Sequence, residues 1–194
     1  MKKLSICVYC GSRPGAQPDY ADAARSVGTE IGRRGWQLVY GGGRAGLMGI
    51  VADAALAAGA PVIGVIPESL MVRELGHGGL TELHVVQTMH ERKLMMAERS
   101  DAFLALPGGI GTFEELFEVW SWRQLGYHDK PLGLLNVAGY YDTLLTFLHE
   151  SERQGLMTSE QLSLLQVRNA PGELLDELGR LAPLATAADD YRRI

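Results

Sequence analysis

Cysteine is scarce in this sequence: among 194 residues there are two, Cys7 and Cys10. A disulfide framework needs more, and the C-x-x-C spacing raises a redox or zinc site instead. Zinc would require two further ligands near by, and the five histidines show no paired metal spacing. A redox pair opens a helix, whereas Cys7 and Cys10 lie in a strand pattern, where residues three apart point to opposite faces. Neither reading fits, and no metal site is expected. Long apolar runs are absent as well. No stretch approaches the roughly 20 residues that span a bilayer, and the apolar run after Met1-Lys2-Lys3 is too short for a signal-peptide core. Positive charge is in deficit: 18 Lys and Arg against 23 Asp and Glu give a formal net charge of −5. That balance argues against a polyanion-binding surface and so against nucleic acid as a partner. Linkers, repeats and low-complexity tracts are missing too. The expectation is one domain over residues 1–194, without a membrane segment, in the cytoplasm.

What the chain does have is alternation of two periods. Short apolar runs read as strands at Leu4 to Tyr9, Gln37 to Tyr40, Pro61 to Ile66, Leu83 to Gln87, Ala102 to Leu106, Leu132 to Val137 and Leu164 to Arg168. Between them, helical spacing runs over Asp19 to Arg34, Leu47 to Ala58, Met89 to Arg99, Glu114 to Leu125, Tyr140 to Gln154 and Gly172 to Leu181, with glycine or proline at most joints. Seven strands alternating with helices predict an α/β, doubly wound, Rossmann-like parallel sheet with helices on both faces. Residues 68 to 81 show no period but contain Glu68, Arg73, Glu74, His77 and three glycines, and read as a polar loop, a candidate lid. The tail after Pro183 reads as loosely held. In such a sheet ligands collect beyond the carboxyl ends of the strands, near the reversal of strand order. Four clusters follow strands and should converge there: Gly11-Ser12, Gly41 to Gly46, Met89 to Lys93 and Pro107 to Glu115.

The richest of these is Pro107-Gly108-Gly109-Ile110-Gly111-Thr112-Phe113-Glu114-Glu115. Glycines let an anion approach the backbone, and the first turn of the following helix adds free N–H groups and a partial positive charge. Thr112 is placed to cap that helix and offer its hydroxyl. Glu114 and Glu115 stand one turn in, where a phosphate gains nothing from them, so at least one needs another purpose. Gly41, Gly43 and Gly46 match G-x-G-x-x-G, and Glu68 follows after the next strand, which together give a dinucleotide fingerprint. Against it, the fingerprint belongs to the first strand of its sheet, and a richer phosphate loop follows the fifth; close packing of helix on strand explains these glycines equally well. Arg92 and Lys93 open a helix with cations where its dipole favours anions, a conflict that a ligand phosphate or a carboxylate such as Glu115 would resolve.

Gly41-Gly42-Gly43-x-x-Gly46-Leu47-Met48-Gly49, Met89-His90-Glu91-Arg92-Lys93, the Pro107 to Glu115 loop and Gln124-Leu125-Gly126-Tyr127-His128-Asp129-Lys130-Pro131 resemble, in order and spacing, the Lonely Guy family of cytokinin-activating phosphoribohydrolases, long labelled lysine decarboxylases. The resemblance runs from Cys10-Gly11-Ser12 to about Tyr141. It implies hydrolysis of the N-glycosidic bond of a nucleoside 5′-monophosphate (a cytokinin riboside 5′-monophosphate, AMP or both), releasing a free adenine-type base and ribose 5-phosphate, with no metal or nucleotide cofactor. The family's arginine and glutamate pair falls on Arg92 and Glu115. Its substrate contacts fall on Glu74, Lys93, Gly108, Gly109, Ile110, Gly111, Thr112 and Glu114, with Gly42, Gly43 and Ser12 in the neighbouring loops and Ser121 further along. A homodimer is expected from the family, with Trp120, Trp122 and the Met89 helix as candidate surfaces. A non-catalytic nucleotide carrier or sensor on a similar sheet is the alternative, and the presence of both Arg92 and Glu115 speaks for the enzyme. The chemistry suits the residues: cleavage of an N-riboside develops oxocarbenium character, which a carboxylate stabilises, and needs a directed water.

Overall fold

The structure, a computed structural model, describes residues 3–71 and 76–191. Its centre is β1 (Ser5–Tyr9), buried over its whole length because both faces and both edges are covered. To one side lie β2 (Gln37–Tyr40), β3 (Val62–Pro67) and β4 (Glu82–Val86); to the other lie β5 (Ala102–Ala105), β6 (Leu132–Leu135) and β7 (Leu165–Arg168). The order is β4-β3-β2-β1-β5-β6-β7, and every pairing is parallel. Apolar, β-branched runs such as Val62-Ile63 and Val65-Ile66 suit strands buried on both faces.

Helices α1 (Pro18–Arg33), α2 (Gly46–Ala57) and α7 (Pro171–Leu181) cover one face. There Val27, Ile31, Val51, Ala55, Leu174 and Leu178 pack on Ile6, Val8, Leu38 and Leu104. Helices α3 (Met89–Glu98), α4 (Ile110–Gln124) and α5 (Asp142–Arg153) cover the other, where Met96, Leu116, Val119 and Leu148 meet Cys7, Val39 and Phe103. A short α6 (Ser159–Ser163), opened by a Thr158–Gln161 capping box, was not anticipated from the sequence. Strand order reverses between β1 and β5, the two neighbours leaving β1 in opposite directions, and a crevice at their carboxyl ends follows.

Two expectations are corrected, on the tail and on the tryptophans. As far as Tyr191 the tail is not loosely held: Asp129 accepts the N–H groups of Thr186 and Ala187 at 2.9 Å, Lys130 pairs with Asp189 at 2.6 Å, and Tyr191 is buried against the Trp122 and His128 rings. One docked aromatic and a few caps hold it, and neither leaves a periodic signal. Trp120 and Trp122 are not surfaces for a partner, since each is 5% exposed within its own chain and the Trp120 indole donates to the Gln161 carbonyl. In the polar loop, Glu68–Leu70 form a 3-10 turn, Gly76 bridges Gly43, and His77 is buried with Nε2 3.0 Å from Asp53. Arg73 and Glu74 lie outside the described residues. Among the described residues no helix is long and apolar enough to cross a membrane.

Candidate active site

A cleft of about 650 Å³ opens at the carboxyl ends of β1 and β5. Its floor is two loops in contact: Gly11 N–H donates to the Pro107 carbonyl at 3.1 Å, and Leu106 N–H to the Tyr9 carbonyl at 2.9 Å. A Cβ on Gly108 would stand 2.0 Å from the Thr112 hydroxyl and 2.9 Å from Gly11 N, so the loops approach this closely only with glycine there. The β1 loop is held from behind by α2. Leu47 N–H donates to the Gly11 carbonyl at 3.0 Å, and Gly46, at φ +59°, leaves its missing Cβ 2.3 Å from Arg13 N.

α4 begins at Ile110, with Gly109 as its N-cap, and no side chain caps it. The expectation that Thr112 is the cap is therefore corrected: Thr112 sits at the third helical position, buried, its hydroxyl against Gly108. Phe113 is the first helical residue whose N–H reaches a carbonyl of this turn, that of Gly109 at 3.0 Å. The preceding N–H groups, with the helix dipole behind them, give the cleft a site for an anion.

The conflict at α3 is met by a capping box at the helix start and, for Lys93, by carboxylates of α4. Thr88 and Glu91 form a capping box, with Glu91 accepting from the N–H groups of Gln87 and Thr88, so the helix start is satisfied internally. Arg92 turns inward, 4% exposed, and donates through Nη2 to the Gly41 carbonyl at 3.0 Å. Gly41 must be glycine for this, because a Cβ would fall 2.0 Å from that nitrogen. Lys93 turns to α4, where it pairs with Glu114 at 2.5 Å and Glu118 at 2.8 Å.

Ser12, Arg92, Gly108 to Thr112, Glu114 and Glu115 all line the cleft. Lys93, Gly42 and Gly43 do not. Gly42, at φ +77°, packs on Ile66 and Leu83, and Gly43 bridges Gly76, so the second glycine loop is a packing device behind the site. Ser121 is exposed further along α4, away from the cleft, and Glu74 lies outside the described residues. Among the polar lining residues, Arg13, Tyr20 and Tyr140 were not foreseen. Tyr140 follows β6, and a polar aromatic just past a strand's carboxyl end was the signal available. Leu47, Met48, Leu70 and Met89 supply an apolar wall.

The Glu115 carboxylate lies close enough to Cys7, Cys10 and Tyr9 to raise their pKa values, in each case behind the larger effect of burial. Burial pushes Cys7 up to about 12, and Cys10 and Tyr9 also rise. These groups stay protonated at neutral pH, so Cys10, though on the cleft wall, is no thiolate nucleophile. Cys7 and Cys10 are free, buried and in opposite cores. Among the described residues no three His, Cys, Asp or Glu side chains gather as metal ligands.

A family model described as possible lysine decarboxylase matches residues 48–178. A cytokinin riboside 5′-monophosphate phosphoribohydrolase of Arabidopsis thaliana is 48% identical over 178 residues, covering 92% of this chain and 83% of that one. One from Oryza sativa subsp. japonica is 48% identical, covering 92% and 74%. Among solved structures, the molybdenum cofactor binding protein of Rippkaea orientalis superposes with a TM-score of 0.71 at 23% identity over 93% of this chain and 98% of that one. The Moco carrier protein of Chlamydomonas reinhardtii gives 0.71 at 22% over 94% and 99%. At such identities these two likenesses concern the fold alone. The match over two-thirds of the chain and the near-half identity to the plant enzymes show that the chain belongs to the Lonely Guy family of cytokinin riboside 5′-monophosphate phosphoribohydrolases.

Proposed function

We propose that this chain hydrolyses the N-glycosidic bond of a nucleoside 5′-monophosphate bearing an adenine-type base, either a cytokinin riboside 5′-monophosphate or AMP, to give the free base and ribose 5-phosphate. One observation carries the reading: a half-buried carboxylate, Glu115, shares a cleft with the uncapped start of its own helix. An anion held by the first turn and chemistry at the next residue on from Glu114 are then set one helical turn apart. That is the distance between a 5′-phosphate and the far side of its ribose, on the order of 5 Å of helix rise.

In this mechanism the N–H groups at the start of α4, with Thr112 beside them, hold the 5′-phosphate. Binding there, remote from the bond that breaks, positions the sugar over Glu115. As the C1′–N bond breaks, its electron pair leaves with the base, and the Glu115 carboxylate stabilises the positive charge on C1′ and O4′. Glu115 then takes a proton from the water whose oxygen bonds to C1′, and the departing base takes up a proton, so that the water is divided between the sugar and the base. Arg92, anchored by Gly41, orients the sugar hydroxyls or the carboxylate with its guanidinium. The apolar wall of Leu47, Met48, Leu70 and Met89 suits the base and a hydrophobic N6 substituent.

The test is chromatography after incubation with AMP, with an N6-isopentenyl riboside monophosphate and with the unphosphorylated ribosides. Free base should appear from the monophosphates at least about 100-fold faster than from the ribosides, the share expected of a well-placed anion anchor. Equal rates would remove the phosphate assignment, and recovery of intact nucleotide would leave a carrier. A cytoplasmic homodimer belongs to the same proposal. Its support is that Met89 and Ile110, on the rim of the cleft, are 43% and 85% exposed, and that the two cysteines are free thiols. Sedimentation showing only a 21.1 kDa species would overturn the dimer, and recovery in a secreted fraction would overturn the location.

A further inference from the structure

The phosphate loop is braced by a tyrosine pair on the next strand's turn. Three consecutive carbonyls lead into α4, and each has a named donor. Leu106 accepts from the Tyr141 hydroxyl at 2.7 Å, Pro107 from Gly11 N–H at 3.1 Å, and Gly108 from the Tyr140 hydroxyl at 2.5 Å. The last is the one that matters for a ligand. Gly108 and Gly109 have no side chains to fix the peptide plane between them, and a Cβ on Gly109 would meet nothing within 4 Å. In a trans peptide the N–H points opposite to the C=O. A hydroxyl that holds the Gly108 carbonyl therefore also fixes where the Gly109 N–H is aimed.

The turn that delivers Tyr140 is itself unusual. Ala138 at φ +50° is the one non-glycine residue with positive φ among the described residues, and Gly139 follows at +71°. Side chains hold this left-handed pair in place: Asn136 accepts from Tyr141 N–H at 2.8 Å and donates to Asp142 at 2.7 Å. Such outliers persist where the surroundings over-determine them, and they cluster at functional sites. The Tyr140 ring packs edge-on against Tyr20 at 5.5 Å and Tyr141 at 4.8 Å, so its hydroxyl is aimed by two neighbours.

We infer that Tyr140 is a positioning residue for the 5′-phosphate, locking the Gly108–Gly109 peptide so that the glycine loop is preformed for the anion, and that the strained Ala138-Gly139 turn exists to aim it. This rests on the nucleotide reading above, and the experiment separates the two. Calorimetry of ribose 5-phosphate binding is paired with steady-state kinetics on AMP for the wild type, Tyr140→Phe, Ala138→Val and Ala138→Gly. Tyr140→Phe keeps both ring contacts and removes only the hydroxyl. It should weaken ribose 5-phosphate binding and raise KM about tenfold, with kcat changed less than twofold and the melting temperature unmoved. Ala138→Val, whose branched side chain rejects positive φ, should reproduce that loss, whereas Ala138→Gly, which adopts positive φ freely, should bind as the wild type does. Wild-type affinity in Tyr140→Phe would overturn the inference while leaving the function intact, as would a loss confined to kcat. A wild-type protein that neither binds ribose 5-phosphate nor cleaves AMP would overturn both.

Discussion

Glu115 shares its surroundings with two thiols and a phenol that burial keeps neutral, so none of these three adds negative charge to the cleft. Replacing it by glutamine keeps the shape, cannot accept a proton and cannot balance an oxocarbenium ion. Glu115→Gln should lower kcat by about 10²-fold or more with KM nearly unchanged; a variant with near-normal kcat would take Glu115 out of the mechanism. Arg92 holds the Gly41 carbonyl through Nη2 and reaches the Met89 sulfur through Nη1, so its fork makes directed contacts on two sides. Lysine has one compact ammonium and cannot do both, so Arg92→Lys should reduce kcat far more than it raises KM. The same geometry gives a partner test. Gly41→Ala puts a methyl 2.0 Å from Nη2, displaces the guanidinium and should reproduce the Arg92→Lys kinetics without any change to a ligand-touching residue. If Gly41→Ala left kcat intact, the Gly41 carbonyl would not be what orients Arg92.

At the scale of elements, the start of α4 and its glycine loop form the anchor, and the limit on that loop is steric. Gly108→Ala would press a methyl against both Thr112 and the Gly11 amide, so the two loops must part. The expected result is a KM for the monophosphate raised at least about tenfold, with unphosphorylated riboside turnover unaffected; equal losses on both substrates would point to general damage instead. This loop was legible from sequence because everything it needs is local: a strand, three glycines, a helix start. So were the strands and long helices, whose ends fall within a few residues of the apolar periods, as for Gln37–Tyr40 and Met89–Glu98. Contacts made across the sheet were not legible. Tyr140 reaches Gly108 from 32 residues away, and nothing in a run of Gly-Tyr-Tyr announces which hydroxyl meets which carbonyl. The Thr88–Glu91 capping box is written in the sequence as T-x-x-E, beside two cations that oppose the helix dipole and mask it. Thr112 has the hydroxyl that usually caps a helix start, whereas the extended backbone of Gly109 sets the cap three residues earlier.

The whole molecule carries a second buried polar cluster at the amino-terminal end of β6, where Lys130, Asp189 and Tyr191 fasten the tail beside His128. His128 donates through Nε2 to the Val119 carbonyl at 3.0 Å and accepts Lys130 N–H at Nδ1, which makes it the neutral tautomer. Burial, with Lys130 and Arg123 near by, lowers its pKa from 6.5 to about 4. Above pH 6.5 both folded and unfolded chains leave it neutral. As pH falls from about 6.5 to about 4 the unfolded chain takes a proton that the folded one refuses, and stability should fall by about 3 kcal/mol over that window. Urea midpoints at pH 7, 5 and 4 should show this, and His128→Gln should flatten it; an unchanged slope would assign the loss to other groups. The central β1–β5 junction has a consequence of another kind. Ser5 donates to Asp101 across 96 residues of chain, and the cleft exists only where those two strands lie side by side. Closing so long a loop is among the slowest steps open to a chain of this size, while α1, α2 and the β1–β2–β3 pairings close over short spans. On dilution from denaturant, helical circular dichroism should return before turnover does, and catalysis should emerge only in the final phase. A newly made chain would then pass through a state with most of its helices in place and no enzyme in it.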